Sequence, residues 1–104
     1  MTFEHFRELI AELGIPVRYG YFKKAQAVPY IAYTATENNT FHADGVVVYS
    51  EPGVELNLYT KDRDFTAEST VEQFLTTNGI AFDVPDLFFD EDQNIHTATY
   101  NFSL

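Results

Sequence analysis

The chain has 104 residues, 45% of them apolar, with six Lys and Arg against 16 Asp and Glu for a net charge of −10. That length is one domain's worth, 1–104, with a single core, and the apolar share excludes a disordered tail. With no cysteine there is no disulfide framework, thiolate zinc site or thiol nucleophile, and no apolar run is long enough to span a bilayer.

Thr2 to Leu13 has the period of an amphipathic helix. Phe3, Phe6, Leu9, Ile10 and Leu13 share one stripe, and Glu4, Glu8 and Glu12 lie opposite. Thr2 is placed to cap it, Gly14 to end it and Pro16 to prevent its continuation. The acid at Glu4, where a signal peptide carries Lys or Arg, points to a soluble protein made inside the cell.

From Val17 the period changes to two. Strands are expected over Val17–Phe22, weakened at Gly20, and over Tyr30–Thr36, with a loop from Lys23 to Pro29 between them. Asn38 to Gly45 reads as a polar loop interrupted by Phe41 and His42. Val46–Ser50 and Val54–Thr60 read as two strands of a hairpin, because Glu51-Pro52-Gly53 has the residue order of a type II turn. In the second of these, Val54, Leu56 and Leu58 face one way and Glu55, Asn57 and Tyr59 the other.

A second helix follows over 67–78, with Ala67, Val71, Phe74 and Leu75 on its apolar side and Gly79 at its end; Asp64 and Thr66 are both possible caps. Ile80–Val84 and Leu87–Phe89 read as strand pieces around Pro85-Asp86, and Asp90 to Asn94 as a turn. The closing segment alternates His96, Ala98, Tyr100, Phe102 and Leu104 against Thr97, Thr99, Asn101 and Ser103. The order α-β-β-β-β-α-β-β predicts an α+β domain, two helices packed on one face of an antiparallel sheet. Leu9, Ile10, Leu13, Leu56, Leu58, Phe74 and Leu75 should be buried together.

The charge is unevenly distributed. Residues 1–63 hold eight acids and all six bases, and residues 64–104 hold eight acids and no Lys or Arg. No basic stripe exists for nucleic-acid phosphates or anionic lipid, so neither nucleic acid nor a membrane surface is an expected partner. His5, His42 and His96 have no metal-ligand spacing, and Asp90-Glu91-Asp92 lacks the pattern of a calcium loop. No serine sits in a nucleophile motif, and the five glycines form no phosphate cradle. Neither catalytic residues, nor a metal, nor a cofactor is expected, and the chain does not read as an enzyme.

Ten Phe and seven Tyr exceed what a small core needs. Phe41, His42, Tyr59, Phe88 and Phe89 lie outside the expected core and are candidates for a subunit interface. Asp83, Asp86, Asp90, Glu91 and Asp92 are the candidate DNA-repelling surface.

Over nearly its whole length the chain resembles the small phage and prophage proteins of Gram-positive hosts described as tail, minor capsid or head–tail completion proteins. The resemblance rests on Glu12-Leu13-Gly14-Ile15-Pro16-Val17, Tyr19-Gly20-Tyr21-Phe22, Val28-Pro29-Tyr30-Ile31-Ala32-Tyr33 and Phe41-His42-Ala43-Asp44-Gly45. It continues in Val54-Glu55-Leu56-Asn57-Leu58-Tyr59-Thr60-Lys61-Asp62, Val71-Glu72 and Gly79-Ile80. It implies a tail-terminator-like α+β subunit in the virion, at the tail or head–tail junction. Its partners would be further copies in a ring, commonly hexameric, and neighbouring tail or connector proteins. The alternative is a small acidic, DNA-mimic-like inhibitor of a host protein, with the −8 segment as its working surface.

Overall fold

The computed structural model describes residues 1–20, 22 and 26–104, apart from the side chains of 38–43 and 47–50. In chain order the elements are α1 (Phe3–Ile10), β1 (Val17–Tyr19), β2 (Tyr30–Ala43), β3 (Val46–Thr60), α2 (Phe65–Thr77), β4 (Asp86–Asp90) and β5 (Ile95–Ser103). The fold is α+β, with a five-stranded sheet in the order β1-β2-β3-β5-β4.

Both helices are delimited by local chemistry. The Thr2 side chain accepts from the His5 amide at 3.2 Å, filling one orphan donor of α1. The helix ends at Ile10, earlier than its apolar stripe. The Glu12 and Leu13 amides then bond the Leu9 and Ile10 carbonyls at 3.2 and 3.1 Å, tightening the last turn before Gly14 reverses at φ +92°. In α2 the cap is Asp64, whose carboxylate accepts from the Ala67 amide at 3.0 Å. At its far end the Gly79 amide donates to Thr76 and the Ile80 amide to Leu75, a Schellman closure that carries the Ile80 side chain into the core.

Sheet register sorts the side chains. Ile31, Leu58 and Ala98 lie opposite one another across β2, β3 and β5; Tyr33, Leu56 and Tyr100 form the next row, and Ala35, Val54 and Phe102 the next. This inner face meets both helices in one core. Phe6 of α1 places its ring 5.6 Å from Tyr33, 5.9 Å from Phe74 and 5.7 Å from Phe102. Ile10, Leu56, Leu58, Phe74 and Leu75 are buried together as expected, while Leu9 and Leu13 pack against the cluster only partly buried.

Three expectations are corrected. First, the sheet is not wholly antiparallel, because β1 runs parallel to β2 (Val17 opposite Ile31, Tyr19 opposite Tyr33). Residue alternation is the same for either strand direction, so the period alone carries no sign of it.

Second, Asn38 to Gly45 is not a loop: β2 runs to Ala43 and reverses at Asp44-Gly45, φ +53° and +76°, the left-handed pair that a two-residue hairpin turn requires.

Third, Pro52-Gly53 is no turn and lies inside β3. Its place is set by an irregularity in β2 between Thr36 and Asn39, which sit opposite Gly53 and Glu51. A Cβ on Gly53 would collide with the Thr36 hydroxyl and lie 2.6 Å from the Glu37 carbonyl oxygen, so only glycine fits. Of the expected Ile80–Val84 strand, one bridge forms, Phe82 to Phe102.

Candidate functional site

The aspartates that bracket Leu87-Phe88-Phe89 lie on the last strand of the sheet. β4 pairs only with β5, from Asp86 opposite Thr99 to Asp90 opposite Ile95, and its other side is open. Leu87, Phe88 and Phe89 are 44%, 67% and 43% exposed. Phe88 belongs to the outer face, in the row Tyr30, Tyr59, Thr97, Phe88. Leu87 and Phe89 lie in the inner-face rows of Ala98 and His96. Asp90 also shapes the turn, its Oδ1 accepting the Asp92 and Gln93 amides at 3.0 and 3.3 Å.

The acidic and aromatic candidates were read separately in the sequence; the fold brings them together. Asp83, Asp86, Glu91 and Asp92 are exposed and Asp90 half-buried around the same edge as Phe88 and Phe89. An exposed apolar strand edge is a pairing template, and flanking charge is the common way of guarding it.

Tyr59 lies on the outer face as expected, but it is half-buried under a stack with Tyr30, with ring centroids 4.6 Å apart and 19° between planes. Burial raises its phenol pKa above the ordinary value, with smaller contributions from Tyr30 and Glu55. Phe41 and His42 pair through their backbones with Tyr49 and Val47 in the hairpin, and their side chains lie outside the described residues.

The opposite edge, β1, drew no attention in the sequence. Its outer-face residue is Arg18, exposed; Tyr19 on the inner face is 46% exposed, its ring edge-on to Tyr33 at 5.5 Å. The Gly20 amide donates to Tyr33 and the Ile31 amide to Pro16, at 2.7 and 2.8 Å, so Pro16, Arg18 and Gly20 turn their backbone groups toward β2. Val17 and Tyr19 therefore turn N–H and C=O to the open side.

The same alternation applies at the other end. The Leu104 amide donates to Pro52 at 2.8 Å, which sets the even-numbered residues of β5 toward β3 and the odd-numbered ones toward β4. Asp86, Phe88 and Asp90 thus bond to β5, leaving the backbone groups of Leu87 and Phe89 on the open side. A sign that could have been read earlier is the isolated basic residue in Val17-Arg18-Tyr19 set against the acid-bounded Asp86 to Asp90.

Between α2 and the sheet lies a polar group of a different kind. Glu68, buried, takes Arg63 Nε and Nη2 at 3.2 and 3.4 Å, and the Tyr100 hydroxyl donates to Glu72 Oε2 at 2.8 Å. The Tyr100–Glu72 bond ties helix to sheet, and among the described residues no buried side-chain nitrogen or oxygen lacks a hydrogen-bond partner.

His96 is buried beside Thr60 and Phe89, and His5 is exposed on α1. Among the described residues no three His, Asp or Glu side chains group as a metal site, and no helix is long and apolar enough to cross a membrane. No protein-family model matches the chain, and no curated protein is significantly similar to it.

Proposed function

We propose that the protein is a structural virion component, a tail-terminator or head–tail joining subunit that acts by assembling into a ring. The observation that carries this reading is a sheet that, among the described residues, is open at both edges, one acidic and apolar, the other bearing Arg18. A subunit whose two contact patches differ assembles head to tail, and head-to-tail contacts close rings when the rotation per copy permits. The resemblance to phage tail and head–tail completion proteins supports the same reading, and a net charge of −10 suits a channel that duplex DNA must traverse without adhering. The role needs no catalysis.

The crowding of Asp83, Asp86, Asp90, Glu91 and Asp92 on one edge favours a second reading, a monomeric acidic inhibitor that occupies the DNA site of a host protein. Negative-stain microscopy and sedimentation across a concentration series separate the two. Closed rings with an open lumen are the expected result. A monomer at every concentration that competes with DNA for a host protein would establish the second reading instead.

A further inference from the structure

We infer that the open edge of β4 pairs with the open edge of β1 in a second copy of this chain, antiparallel, with Phe88 opposite Arg18 of the neighbouring copy. The inference deepens the head-to-tail reading above and rests on it.

Strand direction comes first. β1 and β2 run the same way, β3 opposite, β5 with β2 and β4 with β3. When copies are laid edge to edge with their inner faces on the same side, β4 of one meets β1 of the next antiparallel, the geometry in which opposite residues exchange paired hydrogen bonds.

Backbone groups come second. Val17 and Tyr19 on one edge, and Leu87 and Phe89 on the other, turn N–H and C=O outward. Setting Val17 opposite Phe89 and Tyr19 opposite Leu87 matches donors with acceptors in both pairs.

Side chains come third. That register puts Val17 and Tyr19 beside Phe89 and Leu87 on the inner face, apolar against apolar. On the outer face it sets Arg18 over Phe88, with Asp86 and Asp90 as its two diagonal neighbours. A shift by one residue would turn Arg18 to the apolar face. A shift by two either places Pro85, which has no N–H, opposite Tyr19 or runs Val17 past the end of β4.

Charge selects the occupant. Among the described residues Arg7 and Arg18 offset Glu4 and Glu8 around β1, whereas residues 83–94 hold five acids and no Lys or Arg. β4 against β4 would place acid on acid, whereas β4 against β1 sets Asp86 and Asp90 beside Arg18. A three-residue ladder is a small contact, so each joint is weak and closure of the ring supplies the avidity.

The chain has no cysteine, which makes the register directly readable. Tyr19→Cys and Leu87→Cys are made as separate proteins, mixed, and oxidised with oxidised glutathione. Facing residues of a hydrogen-bonded antiparallel pair have Cα atoms about 5.5 Å apart, within disulfide reach. The expected product is the mixed dimer, formed at least tenfold faster than either homodimer and absent when Tyr19→Cys is mixed with Phe89→Cys. Arg18→Glu should weaken association about tenfold, and Arg18→Glu combined with Asp86→Arg and Asp90→Arg should restore it.

Wild-type rings, with no mixed disulfide between Tyr19→Cys and Leu87→Cys, would overturn the edge contact and leave the ring reading standing. Homodimers of Leu87→Cys alone would overturn head-to-tail order. A wild type that stays monomeric at every concentration and gives no mixed disulfide would overturn both. Circular dichroism of each variant separates a lost contact from a lost fold.

Discussion

The Tyr100 hydroxyl donates to Glu72 Oε2 at 2.8 Å, joining the centre of β5 to α2. Burial raises the Tyr100 phenol pKa far above its ordinary value of 10.0, and the bond to the Glu72 carboxylate, together with that carboxylate's charge, raises it further. The protonated phenol is therefore the form the fold requires. A group whose folded pKa is raised contributes fully below its unfolded pKa and loses that contribution as pH rises above it. Stability should hold to about pH 10 and then fall by about 1.4 kcal/mol per pH unit for this group. Tyr59 titrates in the same direction. Chemical denaturation at pH 8 to 11.5 checks this. Tyr100→Phe should cost about 1 kcal/mol at pH 8 and flatten the alkaline slope by one tyrosine's share.

Arg63 and Glu68 make an unequal pair, the guanidinium 44% exposed and the carboxylate side chain only 7%. Removing the arginine leaves a buried carboxylate without its two donors. It also removes a cation held 4.5 Å over the Phe65 ring. Arg63→Gln should destabilise by about 1–3 kcal/mol, and adding Glu68→Gln should recover part of that loss. A double-mutant cycle by urea denaturation gives the coupling.

Gly53→Ala tests the close approach of β3 to the Thr36–Glu37 backbone. The added methyl group meets backbone, which cannot rotate away as a side chain would. The expected cost is about 1–3 kcal/mol, read as a lowered melting temperature. Alanine at Gly79, where nothing lies within 4 Å of the added carbon, should instead cost only the left-handed backbone penalty of about 1–2 kcal/mol.

Phe74→Ala probes the joint between the helices. Its ring meets Phe6 edge-on at 5.9 Å, within a cluster that includes Val71, Leu75 and Tyr100. Truncation should cost about 3–5 kcal/mol, a large share of the stability of a domain this size. Circular dichroism melts check it.

The parts legible in the sequence were those whose period had one meaning. The stripes of α1 and α2 and the alternation of β5 placed Phe6, Ile10, Val71, Leu75, Ala98 and Tyr100 in the core, and the structure agrees. Pro52-Gly53 misled because a proline followed by a glycine carries the chemistry of a turn. In β3 the proline's absent donor falls where the ladder with β5 ends, and the glycine serves a close approach. Asp44-Gly45 was the real turn, obscured by the polar residues before it, which pair across the hairpin. Of the site, the acids and aromatics near β4 were picked out individually, but their common edge was not. Nor was Arg18 on the far edge, because strand order is set by long-range pairing and leaves no trace in local spacing.

The β2–β3 hairpin outruns the sheet that anchors it. β1 reaches β2 only at Ile31–Tyr33 and β5 reaches β3 only from Gly53 to Thr60, so the ribbon beyond Thr36 and Gly53 is paired with itself alone. Seven residues per strand at about 3.3 Å each give it a reach of about 23 Å, in keeping with a molecule 50 Å long and 26 Å across. Its two strands are also strands of the sheet, so the ribbon is continuous with its anchor. A pull along it loads the β1–β2 and β3–β5 ladders in shear, where many hydrogen bonds resist at once. A sideways push bends it first near Thr36 and Asn39, where the pairing is already irregular. Such a part is stiff in tension and compliant in bending.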